Sequence, residues 1–296
     1  MSVRQFTLIN GSGETYDLMS TAHFLHDVSG LGFDRDDKYR QIGDRFLLVS
    51  TKPKQGSIPA ILNLTPPDAY IKYQEFMNFI SITPLTLVYI PVDRWDYYRH
   101  RGILIPETIK YYRSVRLSKV EKKELEKYGS LEISIDLVPL GPWYRNISVS
   151  TTLNEDHGDA LTWPLTWPIL WEQDYGRTIK LVSDSYTDSP CRLVITGPAV
   201  NPEWQHYADG KLTATGKINR TVYSGQKLVV DNINYPFQIA LYQADGEFAA
   251  NIYQYSDFST KRFLMLKHGE NSIHVSEDEN RDVIFQVDSR LSYESV

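Results

Sequence analysis

The sequence holds a single cysteine, Cys191, among its 296 residues. One thiol excludes an intrachain disulfide framework and any cysteine-built zinc site, so the fold must stand on packing alone. No run of about 18 apolar residues occurs, which excludes a membrane-spanning helix. The first residues, Met1-Ser2-Val3-Arg4-Gln5-Phe6-Thr7, lack the apolar stretch of a secretion signal. The expectation is a soluble protein that undergoes no signal processing. Neither charge sign dominates: 31 Lys and Arg stand against 37 Asp and Glu, a net charge of −6. Internal repeats, coiled-coil heptads and low-complexity tracts are missing. So are His-Glu-x-x-His, a Walker loop and a Gly-x-Ser-x-Gly elbow, the compact signatures of metal, phosphate and serine chemistry.

What the chain has in quantity is aromatic residues, with 20 Tyr, 11 Phe and 6 Trp, and these favour strands. Fractions of 42% apolar and 23% charged are those of a globular protein. At about 150 residues per domain, the length suggests two domains. Most apolar patterning has period two. Leu131, Ile133, Ile135 and Leu137 alternate with Glu132, Ser134 and Asp136, and Ile58-Ala60-Leu62-Leu64, Leu85-Leu87-Tyr89 and Tyr111-Arg113-Val115-Leu117 do the same. Shorter, evenly spaced runs fill the second half, from Leu193-Ile195 to Val283-Phe285-Val287. Asp209-Gly210 and Asp245-Gly246 punctuate them as hairpin turns, and Asn10-Gly11-Ser12-Gly13-Glu14 reads as another. Many short strands at this spacing predict sandwiches or barrels.

One helix is predicted after Pro66-Pro67, where Tyr70, Tyr73, Phe76, Met77 and Ile80 form one stripe. Asp68 lies near its positive end, and Pro84 limits its continuation. Residues 118–128 carry two signals. Ser118-x-x-Glu121 is a capping-box pattern, yet the segment lies between two alternating runs and ends in a Tyr128-Gly129-Ser130 turn. The balance favours a hairpin of 111–126 with 131–138 over a short second helix. The polar, aperiodic stretch from Asn154 to Asp159 puts the break at about 150, giving domains 1–150 and 151–296.

Residue types that carry chemistry are present but scattered. His23-x-x-His26 with Asp27 is the one close histidine pair and is too loosely placed to predict a metal. Asp34, Asp36 and Asp37, and the run Glu277-Asp278-Glu279, read as solvated loops rather than a hydrolytic pair. Asn154–Asp159 falls short of a calcium loop. Cys191, at the start of a strand, reads as a small core residue. No catalytic residue, metal or cofactor is predicted.

The charge, however, is unevenly spread. From Arg94 to Lys127 ten basic residues stand with five acids, leaving +5 there and −11 elsewhere. Such a segment serves a nucleic acid, an acidic surface on a partner or another copy, or simply forms a solvated face. Within it, Arg94-Trp95-Asp96-Tyr97-Tyr98-Arg99-His100-Arg101 interleaves cations with aromatics, a pattern closer to a protein–protein hot spot than to a nucleic-acid module.

Taken as a set, the residues resemble a family. The layout Phe6-x-Leu8-x-Asn10-x-x-Gly13-x-x-Tyr16-Asp17-Leu18 is followed by Gly30-Leu31-Gly32-Phe33 and Tyr39-x-x-Ile42-Gly43. The helix Tyr70-x-x-Tyr73-x-x-Phe76-x-x-Phe79-Ile80 comes next, then Leu131-x-Ile133 closing on Gly141-Pro142-Trp143-Tyr144. This order is similar to that of the distal tail proteins of long-tailed, non-contractile bacteriophages of Gram-positive hosts. Pro190-Cys191-Arg192-Leu193, Gly197-Pro198-x-x-Asn201-Pro202-x-Trp204 and Asn251-Ile252-Tyr253 continue the likeness over nearly the whole chain. Trp95 to Ile109 matches no such pattern.

The resemblance implies a mainly β chain of two β-sandwich domains. The first, 1–150, would be tail-tube-like, with one helix and a protruding hairpin, and would form a homohexameric ring. The second, 151–296, would be a galectin-like or carbohydrate-binding-module-like sandwich at the periphery. The implied partners are the tail tube protein, the tail-tip or tail-associated lysin protein, and for the second domain a receptor-binding protein or a host cell-wall saccharide. No membrane, sequence-specific nucleic acid or cofactor is implied. The implied place is the tail tip of a virion assembled in the host cytoplasm. Arg113, Arg116, Lys122 and Lys123 are the expected oligomer-interface cations. Trp163, Trp167, Trp171, Trp204 and Tyr207 are the expected saccharide or partner contacts, with core or inter-domain packing as the alternative for each. Two other classes remain open at this point, a free-standing carbohydrate-binding adhesion protein and a glycoside-active enzyme.

Overall fold

A computed structural model describes residues 4–91, 109–126, 128–151, 177–279 and 283–296, apart from the side chains of Arg4 and Arg177. The chain divides into two compact units, Met1–Arg145 with Tyr293–Val296, and Asn146–Ser292. Against a second domain of 151–296, the chain thus enters the second unit at Asn146, and its last four residues return to the first. They return because Glu294 accepts two hydrogen bonds from the Arg35 guanidinium, at 2.7 and 2.5 Å, and Tyr293 packs edge-on against Tyr111.

Among the described residues the first unit holds ten strands and one helix: β1 (Arg4–Ile9), β2 (Thr15–Asp17), β3 (His23–His26), β4 (Arg35–Ile42), β5 (Arg45–Pro53), β6 (Ile58–Leu64), α1 (Ala69–Ser81), β7 (Leu85–Pro91), β8 (Tyr111–Lys122), β9 (Leu131–Pro139) and β10 (Trp143–Ser150), the last running on into the second unit. One sheet runs β2-β1-β7-β8, with Tyr144 of β10 paired to Tyr112 on the far side of β8. The other runs β8-β9-β6-β3. β8 belongs to both: Val115 pairs with Leu85 of β7 on one side and with Pro139 of β9 on the other, and a register break between Leu117 and Lys119 interrupts the β9 ladder beyond it. A bulge of this kind bends a strand from one sheet into the next. The alternation read from sequence is the inward face: Ile58, Leu62, Leu64, Leu131, Ile133, Ile135 and Leu137 are all buried with Phe6, Leu8 and Trp143.

Residues 118–126 therefore form a hairpin and not a second helix. β8 pairs with β9 as far as Lys122, and the ladder continues through Lys123 N–H to Glu132 C=O and Glu126 N–H to Ser130 C=O. The helix α1 lies where the stripe predicts it, burying Phe76 and Ile80. Its entry differs in detail: Asp68 takes a left-handed backbone and its carboxylate makes no capping bond. Tyr70, at the first turn, faces outward under the Lys122 ammonium, 4.7 Å from its ring centre. The Asn10–Glu14 turn forms as read. Asn10 Oδ1 accepts from the amides of Ser12 and Glu14, and Gly11 is required because a Cβ there would stand 2.2 Å from the Thr83 carbonyl oxygen.

The second unit adds β11 (Arg177–Ser183), β12 (Ser189–Thr196), β13 (Glu203–Ala208), β14 (Lys211–Lys217), β15 (Gln226–Asp231), β16 (Gln238–Gln243), β17 (Phe248–Asn251), β18 (Met265–Leu266), β19 (Gly269–Ser276) and β20 (Ile284–Tyr293). One sheet orders β17-β16-β15-β12-β20 and carries Asn146–Ser150 beyond β20; the other orders β11-β19-β13-β14. Leu193, Ile195, Phe285 and Val287 of the first, and Trp204, Ile273 and Val275 of the second, supply the buried faces of a β-sandwich. Asp209-Gly210 forms the β13–β14 turn with both residues at positive φ, 47° and 73°, as a two-residue hairpin turn demands.

Candidate assembly surface

The sequence left Asp34, Asp36 and Asp37 in a glycine-rich loop. The structure instead pairs β4 with β5 into a two-stranded ribbon that joins no other sheet among the described residues. Every residue of it except Ser50 is exposed. Its turn is Gly43 at φ 61°, and its base is fixed by the Arg35–Glu294 pair and by Lys54–Asp34 at 2.9 Å. Directly opposed residues of an antiparallel pair project to one face. The pairs Tyr39–Leu48 and Gln41–Phe46 therefore give one face a run of apolar groups. The pairs Arg40–Leu47, Ile42–Arg45, Lys38–Ser50 and Asp36–Lys52 give the other face four cations among smaller apolar groups. Tyr39, Phe46 and Leu48 are 59%, 68% and 54% exposed. An exposed apolar cluster on a strand with open edges marks a surface built to be covered.

Of the four expected interface cations, three are engaged inside their own unit. Arg113 is half-buried on β8: its Nε donates to the Gly141 carbonyl at 2.9 Å, and its guanidinium lies 5.2 Å from the Trp143 ring centre. Burial lowers its pKa. Lys123 pairs with Glu132 at 2.6 Å across the hairpin. Lys122 covers Tyr70 and Tyr73 of α1. Of the four, only Arg116 is exposed and makes no ion pair or cation–ring contact with a described residue.

The expected aromatic contacts divide as well. Trp163, Trp167 and Trp171 lie outside the described residues, as do Arg94–Arg101 and Asn154–Asp159. Trp204 is a core residue and drops out of any exposed platform. It is wholly buried, its indole N–H donates to the Arg262 carbonyl at 2.8 Å, and its ring occupies the space above Gly216, its cross-strand neighbour. Tyr207 is half-buried and donates to Gln205 Oε1 at 2.8 Å. Sequence reasoning missed the loop after β17. There Tyr253, Tyr255 and Phe258 are exposed, and the Arg262 guanidinium lies 5.3 Å from Tyr253 and 4.5 Å from Phe258. The loop is pinned from Asn219 N–H to Tyr255 C=O and from Asp257 N–H to Lys217 C=O, both at 3.0 Å. Its residues lack periodicity, so no pattern announced it.

The residue types that could do chemistry do not converge. His23 and His26 sit three apart on a strand, on opposite faces; His23 Nε2 bonds the Asp17 carbonyl and His26 Nδ1 lies 3.0 Å from Asp27. Cys191 is buried, and burial pushes its thiol up to about 11, which leaves it a core residue. Among the described residues no group of three His, Cys, Asp or Glu is placed to hold a metal, and no helix is long and apolar enough to cross a membrane.

Residues 5–103 match the family model described as the distal tail protein, N-terminal domain. No curated protein sequence matches the chain. Among solved structures, the fold is similar to a chain of the phage P2 baseplate in its activated conformation with calcium. That match is at 15% identity and TM-score 0.59, over 100% of both chains. It is similar to a chain of the same baseplate activated with strontium, at 16% identity and TM-score 0.58, over 97% of this chain and 98% of that one. It is also similar to the Dit protein of phage SPP1, described as a paradigm of the hub adsorption apparatus in phages infecting Gram-positive bacteria. Identity there is 9% and the TM-score 0.60, over 96% of this chain and 98% of that one. Residues 5–103 thus match the N-terminal domain of the distal tail protein, and the two-sandwich fold as a whole is similar to that of the phage baseplate and hub chains.

Proposed function

We propose that the chain forms a homohexameric ring at the tail tip, with the first unit in the ring wall and each β4–β5 ribbon seated on the neighbouring copy. The ribbon carries this reading. A two-stranded hairpin is marginal in water on its own, and the apolar face of this one is covered by no described residue. A ring requires a heterologous contact, in which one surface reaches onto a different surface of the next copy, and a protruding ribbon has that shape. Arg116 adds a cation to the surface available for charge matching.

The ring would join the tail tube protein on one side to the tail-tip or tail-associated lysin protein on the other and support adsorption to the host, as a structural hub without catalysis. It would be assembled in the host cytoplasm as part of the virion. The second unit would be a galectin-like peripheral sandwich that holds a receptor-binding protein. The baseplate and hub descriptions of the similar phage P2 and SPP1 chains support this reading. Light scattering coupled to size exclusion, followed by negative-stain imaging, tests it. Six-membered rings with an axial hole are expected, and a strict monomer both alone and in the presence of the tail tube protein refutes it. A second reading, saccharide binding by the second unit, is favoured by the pinned Tyr253–Phe258–Arg262 loop, whose rings are preorganised for stacking.

A further inference from the structure

The two faces of the β4–β5 ribbon are unlike, so one kind of cover cannot serve both. Its cationic face presents one cation on each of the four rungs that point its way: Lys52 opposite Asp36, Lys38 opposite Ser50, Arg40 opposite Leu47 and Arg45 opposite Ile42. All four cations are exposed, and none makes an ion pair with a described residue. Ile42 and Leu47, also exposed, accompany Arg40 and Arg45 at the turn end of the ribbon. Unpaired cations beside open apolar groups call for a cover that is acidic and partly apolar.

The first unit carries such a surface at the β8–β9 turn. Glu124 and Glu126 are exposed, make no ion pair with a described residue, and flank the exposed Leu125. The turn is held in shape: Glu126 N–H donates to the Ser130 carbonyl and Gly129 N–H to the Glu126 carbonyl, both at 2.9 Å. The β6–β9 ladder sets turn and ribbon apart. It runs from the Ile58–Leu137 rung to the Leu64–Leu131 rung, about 20 Å at strand spacing. Both legs of the ribbon meet the sheet at the Ile58 end, since β5 leads into β6 there and Ser29 N–H, after β3, donates to the Pro59 carbonyl. The β8–β9 turn stands beyond the Leu131 end. Complementary surfaces at opposite ends of one sheet suit a heterologous contact, in which each copy offers one surface and receives on the other. We infer that the cationic face of each ribbon is covered by the β8–β9 turn of the neighbouring copy, Arg40 and Arg45 meeting Glu124 and Glu126, and Leu47 meeting Leu125. This rests on the ring reading, which seats the ribbon on the next copy, and names the surface that receives it. The outward stripe of α1, Ile71, Glu75, Asn78 and Ile82, offers one acid and is the poorer match.

Charge exchange between two chains tests the contact, read by size exclusion with light scattering on the full chain. Arg40→Glu with Arg45→Glu turns the ribbon acidic, and Glu124→Lys with Glu126→Lys turns the receiving surface basic. Each pair alone sets like charges together at every contact and is expected to raise the concentration needed for assembly at least about tenfold. Melts superimposable on the parent are expected, because all four side chains are exposed. An equimolar mixture of the two variants is expected to assemble like the parent, since alternating copies present matched surfaces and a ring of six closes on that alternation. The chain carrying all four substitutions is expected to assemble alone. A paired variant that assembles as the parent does refutes the contact, and so does a mixture that stays apart; in either case the parent's rings keep the ring reading. A parent that is monomeric both alone and with the tail tube protein refutes the ring reading and the contact with it. Arg40→Cys with Glu124→Cys supplies a measurement independent of charge, because the native thiol, Cys191, is buried. Oxidation is expected to give a ladder of linked chains, and a disulfide closed within one chain overturns the inference.

Discussion

If the ribbon is the contact between copies, replacing Phe46 and Leu48 by Asp breaks assembly and leaves the fold intact. Fully burying a large apolar side chain is worth about 1.5–3 kcal/mol. With 68% of Phe46 and 54% of Leu48 still exposed, docking recovers about 1–2 kcal/mol from each. Two carboxylates at the same positions forfeit that gain and must be desolvated, so about 3 kcal/mol per contact is a conservative loss. This is more than a hundredfold in each association step, since about 1.4 kcal/mol is tenfold, and every contact of a closed ring suffers it. Inside one chain the same residues touch solvent, so the substitutions should change folding stability by no more than about 0.5 kcal/mol. Size exclusion with light scattering over a concentration series, beside thermal melts of the same samples, reads both quantities. The expected result is monomer at concentrations where the parent assembles, with superimposable melts. A double variant that assembles at the parent's concentration refutes the argument. One that melts like a core mutant shows that the ribbon is packed within its own chain.

Gly216→Ala should destabilise the second unit by about 1–3 kcal/mol in urea unfolding, because its Cβ would stand 2.4 Å from Trp204 Cζ2 in a core with nowhere to move. A variant as stable as the parent means that the indole does not lie on that glycine. Lowering the pH should also weaken this unit through His206. Its ring is buried between Asn271 Oδ1 at 3.0 Å and Thr213 Oγ1 at 2.7 Å, and burial depresses its pKa. A depressed histidine contributes stability that is complete above its unfolded pKa near 6.5 and is lost as pH falls through the folded value. Melting temperatures between about pH 7.5 and 5.5 should therefore fall, and His206→Gln should flatten part of that slope. An unchanged slope assigns the pH response to other groups.

Strand positions and inward faces were legible because a sheet with one buried side writes itself as period-two alternation, and Leu131–Leu137 and Ile58–Leu64 became the core of the first unit in just that register. The helix was legible from its stripe, and the turns from Asp-Gly and Asn10–Glu14. What escaped was whatever pairs without burial. β4–β5 faces solvent on both sides, so its residues follow no inward–outward rhythm, and Arg35–Asp37 read as loop. Charge counts likewise located the cations but not their engagements: Arg113 and Lys123 are held by Gly141 and Glu132, partners set by which strands neighbour one another.

The sequence by itself determined the class of this protein: a single thiol, no membrane-length apolar run, strands of period two, and an order of motifs that resembles the distal tail proteins. Local spacing and turn chemistry are enough for that. The tertiary structure decided which aromatics are core and which are surface. Trp204 is buried because its strand places it over a glycine, whereas Tyr253 and Phe258 are exposed because a pinned loop holds them out. It also decided that the β4–β5 ribbon and the β8–β9 turn stand at opposite ends of the β6–β9 ladder. Register across strands distant in sequence sets these relations, and no local pattern encodes them.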